Sequence, residues 1–279
     1  MRVLVFGSTG QVAQELRRLA PEARFLSRQD ADFMDPDACA AQVRDADVVI
    51  NVAAWTAVDK AEAEEDAATT VNGHTPAAIA RACAAADIPF LHVSTDYVFD
   101  GSGDSARLPT DPVGPLGAYG RSKLVGEDGV RDAAGPHAIL RTSWVFSAHG
   151  ANFVKTMLRL SETRDALTVV DDQIGGPTPA ADIAAALLSI ARQFHEGRGT
   201  SGIYHFAGAP DVSWADFARE IFAQAGRKVA VTGIPTSDYP TPAKRPGNSR
   251  MDCSSLEQDY GIARPDWRAG LAQVLQDLK

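Results

Sequence analysis

Three groups of residues have the types and spacing to do chemistry. Tyr119 and Lys123 lie four apart in Tyr119-Gly120-Arg121-Ser122-Lys123, so on a helix the phenol and the ammonium share one face. A free tyrosine titrates near pH ~10, and a neighbouring positive charge favours the phenolate and lowers that value. A tyrosine tuned in this way is a competent general acid, worth roughly 10²–10⁴-fold in rate. Ser94-Thr95 ends a β-rich run over 89–95 and would place a hydroxyl at the carboxyl edge of a sheet, where doubly wound folds hold ligands. Tyr-x-x-x-Lys alone is a common accident of amphipathic helices, and the third group gives it meaning.

That group is Gly7-Ser8-Thr9-Gly10-Gln11-Val12-Ala13, directly after the first apolar run. Its spacing is that of a dinucleotide-binding turn: Gly7 for the tight bend, Gly10 for close approach to a pyrophosphate, and a small Ala13 for helix-on-sheet packing. The amides of Gln11 and Val12 would meet phosphates at the positive end of a helix dipole. Many tight strand–helix turns use glycine, so position between the first strand and first helix carries the reading. The second strand ends in Ser27-Arg28, with Asp30 and Asp32 beyond. An acid at that point would hold ribose hydroxyls, whereas Arg28 is a clamp for a 2′-phosphate. NADPH is therefore expected, with NADH as the alternative, and Asp32-Phe33 are expected to flank the adenine.

The elements that must position these residues follow from hydrophobic period. β-rich runs at 3–6, 24–27, 47–53, 89–95 and 137–142 alternate with helical stretches at 11–19, 36–44, 62–86 and 118–131. Pro76 opens a second helix behind Thr75 within the Ala-rich stretch. Runs apolar on both faces and joined by helices predict an α/β fold with a doubly wound, Rossmann-like parallel sheet. Later, 152–160, 180–194 and 214–225 read as helices, the last capped by Ser213, with short strands at 167–170 and 203–206. Proline and glycine gather over 235–247, a structured loop. The division expected is a dinucleotide-binding domain over 1–150 and a smaller, interleaved α/β lobe over 151–279 that receives the substrate. Segments at about 165–195 are expected to return to the first domain.

Bulk composition excludes other classes. The 279 residues carry a net charge of −9, which lacks the basic footprint that nucleic acid demands. No apolar run nears the ~20 residues of a membrane span, and the N-terminus lacks a signal-peptide pattern. Cys39, Cys83 and Cys253 are scattered and odd in number, which suits buried thiols in a cytoplasmic protein and gives no metal-ligand spacing. Folding at this length buries roughly 75% of the unfolded surface, so no disulfide or metal staple is required.

The motifs together resemble the extended short-chain dehydrogenase/reductase family, in its branch of dTDP-sugar 4-ketoreductases. The resemblance runs nearly end to end through residues 56–62, Ser94-Thr95-Asp96-Tyr97-Val98-Phe99, 119–123, 141–145, 172–178 and 245–250. It implies NADPH-dependent reduction of the C4 ketone of dTDP-4-dehydro-β-L-rhamnose to dTDP-β-L-rhamnose, the last step of dTDP-rhamnose biosynthesis. In that scheme Tyr119 donates the proton, Thr95 bonds the developing alkoxide, and Lys123 holds the nicotinamide ribose while lowering the tyrosine pKa. Asp96 accepts from a sugar hydroxyl, Trp144 covers the sugar face and Arg250 meets the diphosphate through paired donors. Ala53, Ala54, Trp55 and Thr56 would line the cofactor.

Tyr97 separates this branch from the related 4,6-dehydratases, which carry an acid directly after the Thr-Asp pair for elimination. Trp55 departs from the pattern, standing where many members have His or a similar residue. Some members bind Mg²⁺ between subunits through several glutamates; Glu15 supplies one position, but Ala181 occupies another, which tells against the ion. A monomer or homodimer is expected. Two other readings stay open: reduction of another dTDP-4-keto-6-deoxyhexose, and a non-catalytic NADP-binding regulatory subunit like the relative that modulates methionine adenosyltransferase.

Overall fold

The computed structural model describes all of residues 1–279. β1 (Val3–Phe6) turns into α1 (Gln11–Leu19), and β2 (Arg24–Leu26), α2 (Pro36–Ala40) and β3 (Val48–Asn51) follow. Then come α3 (Val58–Ala61), α4 (Glu65–Thr69), one π-helical turn (Thr70–His74), α5 (Thr75–Ala85), β4 (Phe90–Thr95), α6 (Ala118–Asp132) and β5 (His137–Thr142). The later chain adds β6 (Val145–Phe146), α7 (Phe153–Leu160), β7 (Ala166–Val170), β8 (Ile174–Gly175), β9 (Thr178–Pro179) and α8 (Ala180–His195). β10 (Gly202–His205), β11 (Val212–Ser213), α9 (Trp214–Gln224), β12 (Ala230–Ile234), β13 (Asn248–Ser249), α10 (Ser254–Tyr260) and α11 (Trp267–Asp277) complete it.

The main sheet has six strands in the order β10-β5-β4-β3-β1-β2, and every neighbouring pair is parallel. Alternate residues of each strand feed opposite cores, as the period of two requires. Val3, Val5, Val48, Ile50, Leu91 and Leu140 pack with Leu16 of α1, Ile183 and Leu187 of α8 and Leu256 of α10. Leu4, Phe6, Val49, Phe90 and Ile139 pack on the other side with Cys39, Ile79, Cys83 and Val130 of α2, α5 and α6. The chain leaves β1 toward β2 on one side and returns at β3 on the other. That reversal opens a crevice at the strand carboxyl ends.

A third core, with Phe146, Met157, Leu167, Phe217, Ile221, Trp267 and Leu271, builds a smaller lobe from α7, α9 and α11 around the parallel pair β7–β12. The interleaving matches the expected return over about 165–195 in its second half only. β7 stays in the small lobe, because its partner is β12. The return runs through α8, within that range, and continues beyond it through β10 and α10: Ile183, Leu187 and Ile190 bury against the main sheet, and β10 pairs with β5.

Two local findings bear on the site. The Ala-rich stretch is not a simple pair of helices, since the π turn Thr70–His74 runs directly into α5. Pro76 does sit in the first turn of α5, directly after the π turn, and the Thr75 hydroxyl donates to the Phe33 carbonyl at 2.7 Å rather than capping the helix. Ser213 caps α9 as expected, accepting from the Asp216 amide at 3.0 Å. All three cysteines are free and buried.

Candidate active site

The glycine turn closes at the sheet reversal. Gly7 has φ +107°, and a Cβ there would lie 3.2 Å from both the Ala53 nitrogen and the Val52 side chain, so glycine is demanded by backbone and space alike. At Gly10 a Cβ would meet nothing within 4 Å, which leaves that face of the turn open. The first turn of α1 has no side-chain cap and no acid. Its unused amides, Gln11 and Val12 among them, therefore form an uncompensated anion site, and the residues present fit a dinucleotide pyrophosphate. The Gln11 side chain has other work: its Oε1 accepts from Ser147 and Asn152, both at 2.9 Å, tying α1 to the segment after β6.

The adenosine end fits in part. Arg28 is 82% exposed at the end of β2, with its Nε 3.7 Å from Asp32 Oδ1, so the guanidinium is free to turn toward a 2′-phosphate. Asp32 is half-exposed and accepts from the Met34 amide at 3.0 Å. Phe33 corrects the expectation. Its ring is buried edge-on against Phe6, centroids 5.8 Å apart, because it belongs to the core under β1; it cannot offer a face to adenine. Ala53, Ala54 and Trp55 are half-buried beyond β3, with Thr56 exposed beside them. Asn72, from the π turn, clamps Trp55 by accepting from its amide at 2.8 Å and donating to its carbonyl at 3.1 Å.

Thr95 and Asp96 are buried at the end of β4. Tyr119 enters from the first turn of α6, within hydrogen-bonding reach of the Thr95 hydroxyl, and its ring meets Tyr97 edge-on at 5.5 Å. Burial raises the Asp96 carboxyl to about 6, against hydrogen bonds that favour the anion. Asp96 Oδ1 accepts from Thr95 at 3.1 Å; buried Oδ2 makes no hydrogen bond of ordinary geometry, although the Ser249 side chain is close enough to favour the anion. An under-bonded carboxylate oxygen of this kind is unfavourable unless a ligand hydroxyl completes it. Burial also pushes Tyr97 up to about 12.

The tuning expected of Lys123 is not found. Its buried ammonium donates to the Val93 carbonyl at 2.6 Å, and burial, opposed by the charge of Glu127, lowers it to about 8. Tyr119 is raised, not lowered: burial dominates, and the Thr95 hydrogen bond only offsets it in part. The phenol is therefore fully protonated at neutral pH, the form a proton donor needs. Glu127, unmarked in the sequence reading, lies one turn past Lys123 and is 1% exposed, paired with Arg141 at 2.6 Å. Arg141 Nε donates to Glu127 Oε1 at 2.9 Å and Ser94 Oγ to the same oxygen at 2.5 Å. The signal was the Tyr119, Lys123, Glu127 spacing, which puts all three on one inward stripe.

Beside Tyr97 a cavity of about 670 Å³ enters the small lobe, lined by Phe153, Met157, Leu167, Trp214, Tyr239 and Arg245 among others. Trp144 stands next to it in a left-handed conformation, φ +49°, stacked on Trp214 with centroids 3.6 Å apart. Arg250 is half-buried and bonds only Asn248 Oδ1, at 3.2 Å, through its side chain. Arg164 and Arg245, not Arg250, are the arginines that line the cavity. Glu15, the one carboxylate expected at the magnesium position, is engaged by Arg18 at 2.9 Å and His149 at 3.4 Å.

Known proteins share this fold over the full length of the chain. A model of the RmlD substrate binding domain matches residues 1–279. A dTDP-4-dehydrorhamnose reductase of Sinorhizobium fredii (strain NBRC 101917 / NGR234) is 45% identical, over 99% of this chain and 97% of that one. The crystal structure of such a reductase from Clostridium acetobutylicum superposes with a TM-score of 0.92 at 36% identity, covering 100% of this chain and 99% of that one. One from Bacillus anthracis, solved in complex with NADP, gives 0.92 at 31% identity over 99% of each chain. No helix is long and apolar enough to cross a membrane.

Proposed function

This chain belongs to the RmlD substrate binding domain family, and on that premise we propose that it is an NADPH-dependent reductase of the C4 ketone of dTDP-4-dehydro-β-L-rhamnose, forming dTDP-β-L-rhamnose. The observation that carries the reading is the convergence of Thr95, Asp96, Tyr119 and Lys123 at one strand edge, beside a cavity large enough for a nucleotide sugar.

The α1 amides, Gly7 and Gly10 would hold the cofactor pyrophosphate, Arg28 its 2′-phosphate, and Ala53, Ala54, Trp55 and Thr56 its nicotinamide half. A bound reduced nicotinamide supplies the hydride. Tyr119, protonated because it is buried, donates its phenolic proton to the oxygen that was the C4 carbonyl. Thr95 has one hydroxyl proton, held by Asp96 Oδ1 before the substrate arrives, and turns it to the same carbonyl oxygen as its charge develops. An oriented donor of this kind favours the charged transition state over the ketone. Lys123 uses one of its three donors on Val93 and has the others for the nicotinamide ribose. Asp96 Oδ2, buried and without a hydrogen bond of ordinary geometry, accepts from a sugar hydroxyl and so fixes which carbon faces Tyr119. Trp144 covers the sugar, held by its stack on Trp214, and Arg250, which has no carboxylate partner, meets the diphosphate.

Tyr97 fits reduction rather than dehydration: at about 12 its phenol holds its proton and cannot serve as the base of an elimination. The test is NADPH oxidation on addition of dTDP-4-dehydrorhamnose, followed by absorbance. Turnover supports the reading; tight NADPH binding with no turnover of this sugar or of another dTDP-4-keto-6-deoxyhexose would replace it with a regulatory role.

A further inference from the structure

A small cluster of polar contacts joins the two lobes at the mouth of the cavity, and the mechanism above does not use it. Asp59 belongs to α3, in the dinucleotide-binding half. Its Oδ2 lies 3.0 Å from Arg245 Nη2, and its Oδ1 accepts from the Ala243 amide at 3.2 Å. Both partners are on the strap between β12 and β13, whose Tyr239, Thr241 and Arg245 form one wall of the cavity. Arg245 and Tyr97 line the same cavity, the guanidinium close enough to the phenol to oppose the effect of its burial, and Tyr97 packs edge-on against Tyr119. One carboxylate thus fixes the strap and the guanidinium beside the Tyr97 phenol.

The exposures argue against a purely stabilising role. Asp59 and Arg245 side chains are 43% and 26% exposed, and ion pairs so open to water add little to global stability. Their geometry is nonetheless specific, since two different donors of one strap converge on one carboxylate. We infer that Asp59 and Arg245 are positioning residues, a clasp that fastens residues 239–245 against Tyr97 and sets the seat of the nucleotide sugar beside Tyr119. The substrate part of this inference rests on the reading given under Proposed function.

The experiment compares the full chain with Asp59→Asn, Arg245→Gln, their double variant and Arg245→Lys. Each of the first two raises KM for dTDP-4-dehydrorhamnose about tenfold, the scale of one lost charge-assisted hydrogen bond, while kcat falls less than about threefold. The double variant is no worse than the poorer single, because both act through one contact, and Arg245→Lys recovers part of the loss. NADPH affinity and melting temperature stay at wild-type values. In Asp59→Asn, the Ala243 amide exchanges with solvent faster, which reads the clasp without any substrate. Unchanged KM, additive losses, or unchanged Ala243 exchange would overturn the inference. A wild-type chain that fails to turn over this sugar removes the functional reading instead, and Ala243 exchange still decides the clasp.

Discussion

Replacing Glu127 with glutamine probes the most deeply buried charge beneath the site. The change keeps volume and shape and removes one negative charge. Glu127 and Arg141 are 1% and 2% exposed, and the carboxylate receives two bonds from Arg141 and one from Ser94. The variant leaves the Arg141 guanidinium buried without a counter-charge, which costs about 3–5 kcal/mol. For a chain of this size that lowers the melting temperature by roughly 6–20 °C. A second effect follows on Lys123, whose ammonium is near 8 only because Glu127 opposes the effect of burial. Without that charge it moves lower still. The alkaline limb of the kcat/KM profile, which reports groups of the free protein, then shifts toward acid. Circular dichroism melts and a pH series read both effects. A drop of less than ~2 °C would refute the assignment of Glu127 as a buried counter-charge. An unmoved alkaline limb would separate Glu127 from Lys123. Glu127→Leu combined with Arg141→Met should recover much of the stability, because a matched apolar pair replaces two desolvated charges.

Other expectations follow from the same groups. Asp96→Asn removes a buried carboxylate held up to about 6; it raises stability by about 1–3 kcal/mol at pH 8 and raises KM for the sugar, so an unchanged KM would show that Oδ2 meets no substrate hydroxyl. Stability falls as pH drops below 6.5. Buried His205 is held to about 3 and His92 also well below its ordinary value. The unfolded chain takes up those protons first, which lowers stability by up to about 1.4 kcal/mol per pH unit for each histidine, and Asp96, raised to about 6 in the folded chain, offsets the equivalent of one histidine below that pH. A flat melting temperature between pH 6.5 and 4.5 would contradict this. Arg28→Ala weakens NADPH about tenfold while leaving NADH unchanged; titrations showing equal losses would mean that Arg28 does not read the 2′-phosphate.

Much of the fold could be read from local pattern. The five β-rich runs of the first half became strands of one parallel sheet, because residues apolar on both faces can be satisfied only between two helical layers. Gly7, Thr95, Tyr119 and Lys123 were recognisable for a related reason: each follows or faces the end of a strand, so chain order alone places them along one edge. The lobe boundary was less legible. Apolar β7 and apolar α8 both look like core, and only pairing partners far along the chain decide that one stays in the small lobe and the other returns.

The chemistry of the site was legible in identity and less so in environment. Spacing put Lys123 on the face of Tyr119, but spacing has no term for burial, and burial governs both groups. The Val93 carbonyl takes the ammonium, and desolvation holds the proton on the phenol. Phe33 failed for the same reason, since an aromatic after a strand reads equally as ligand platform or core. Asn72, Glu127 and the Asp59–Arg245 pair escaped notice because their partners lie 14 to 186 residues away. Besides the four-residue spacing of Glu127 from Lys123, an isolated charge inside an apolar strand, as Arg141 is in His137–Thr142, was a local hint that a buried counter-charge had to exist.

The central claim is that this chain delivers hydride to C4 of the 4-keto sugar while Tyr119 supplies the proton. Its most direct test is product analysis by NMR, with dTDP-4-dehydrorhamnose and NADPH deuterated at the nicotinamide C4, for the wild type and Tyr119→Phe. The account predicts dTDP-L-rhamnose carrying one deuterium at C4 from the wild type, and from Tyr119→Phe the same product formed roughly 10²–10⁴-fold more slowly with cofactor affinity retained. Deuterium absent from C4, the C4 epimer as product, or undiminished turnover by Tyr119→Phe would contradict it.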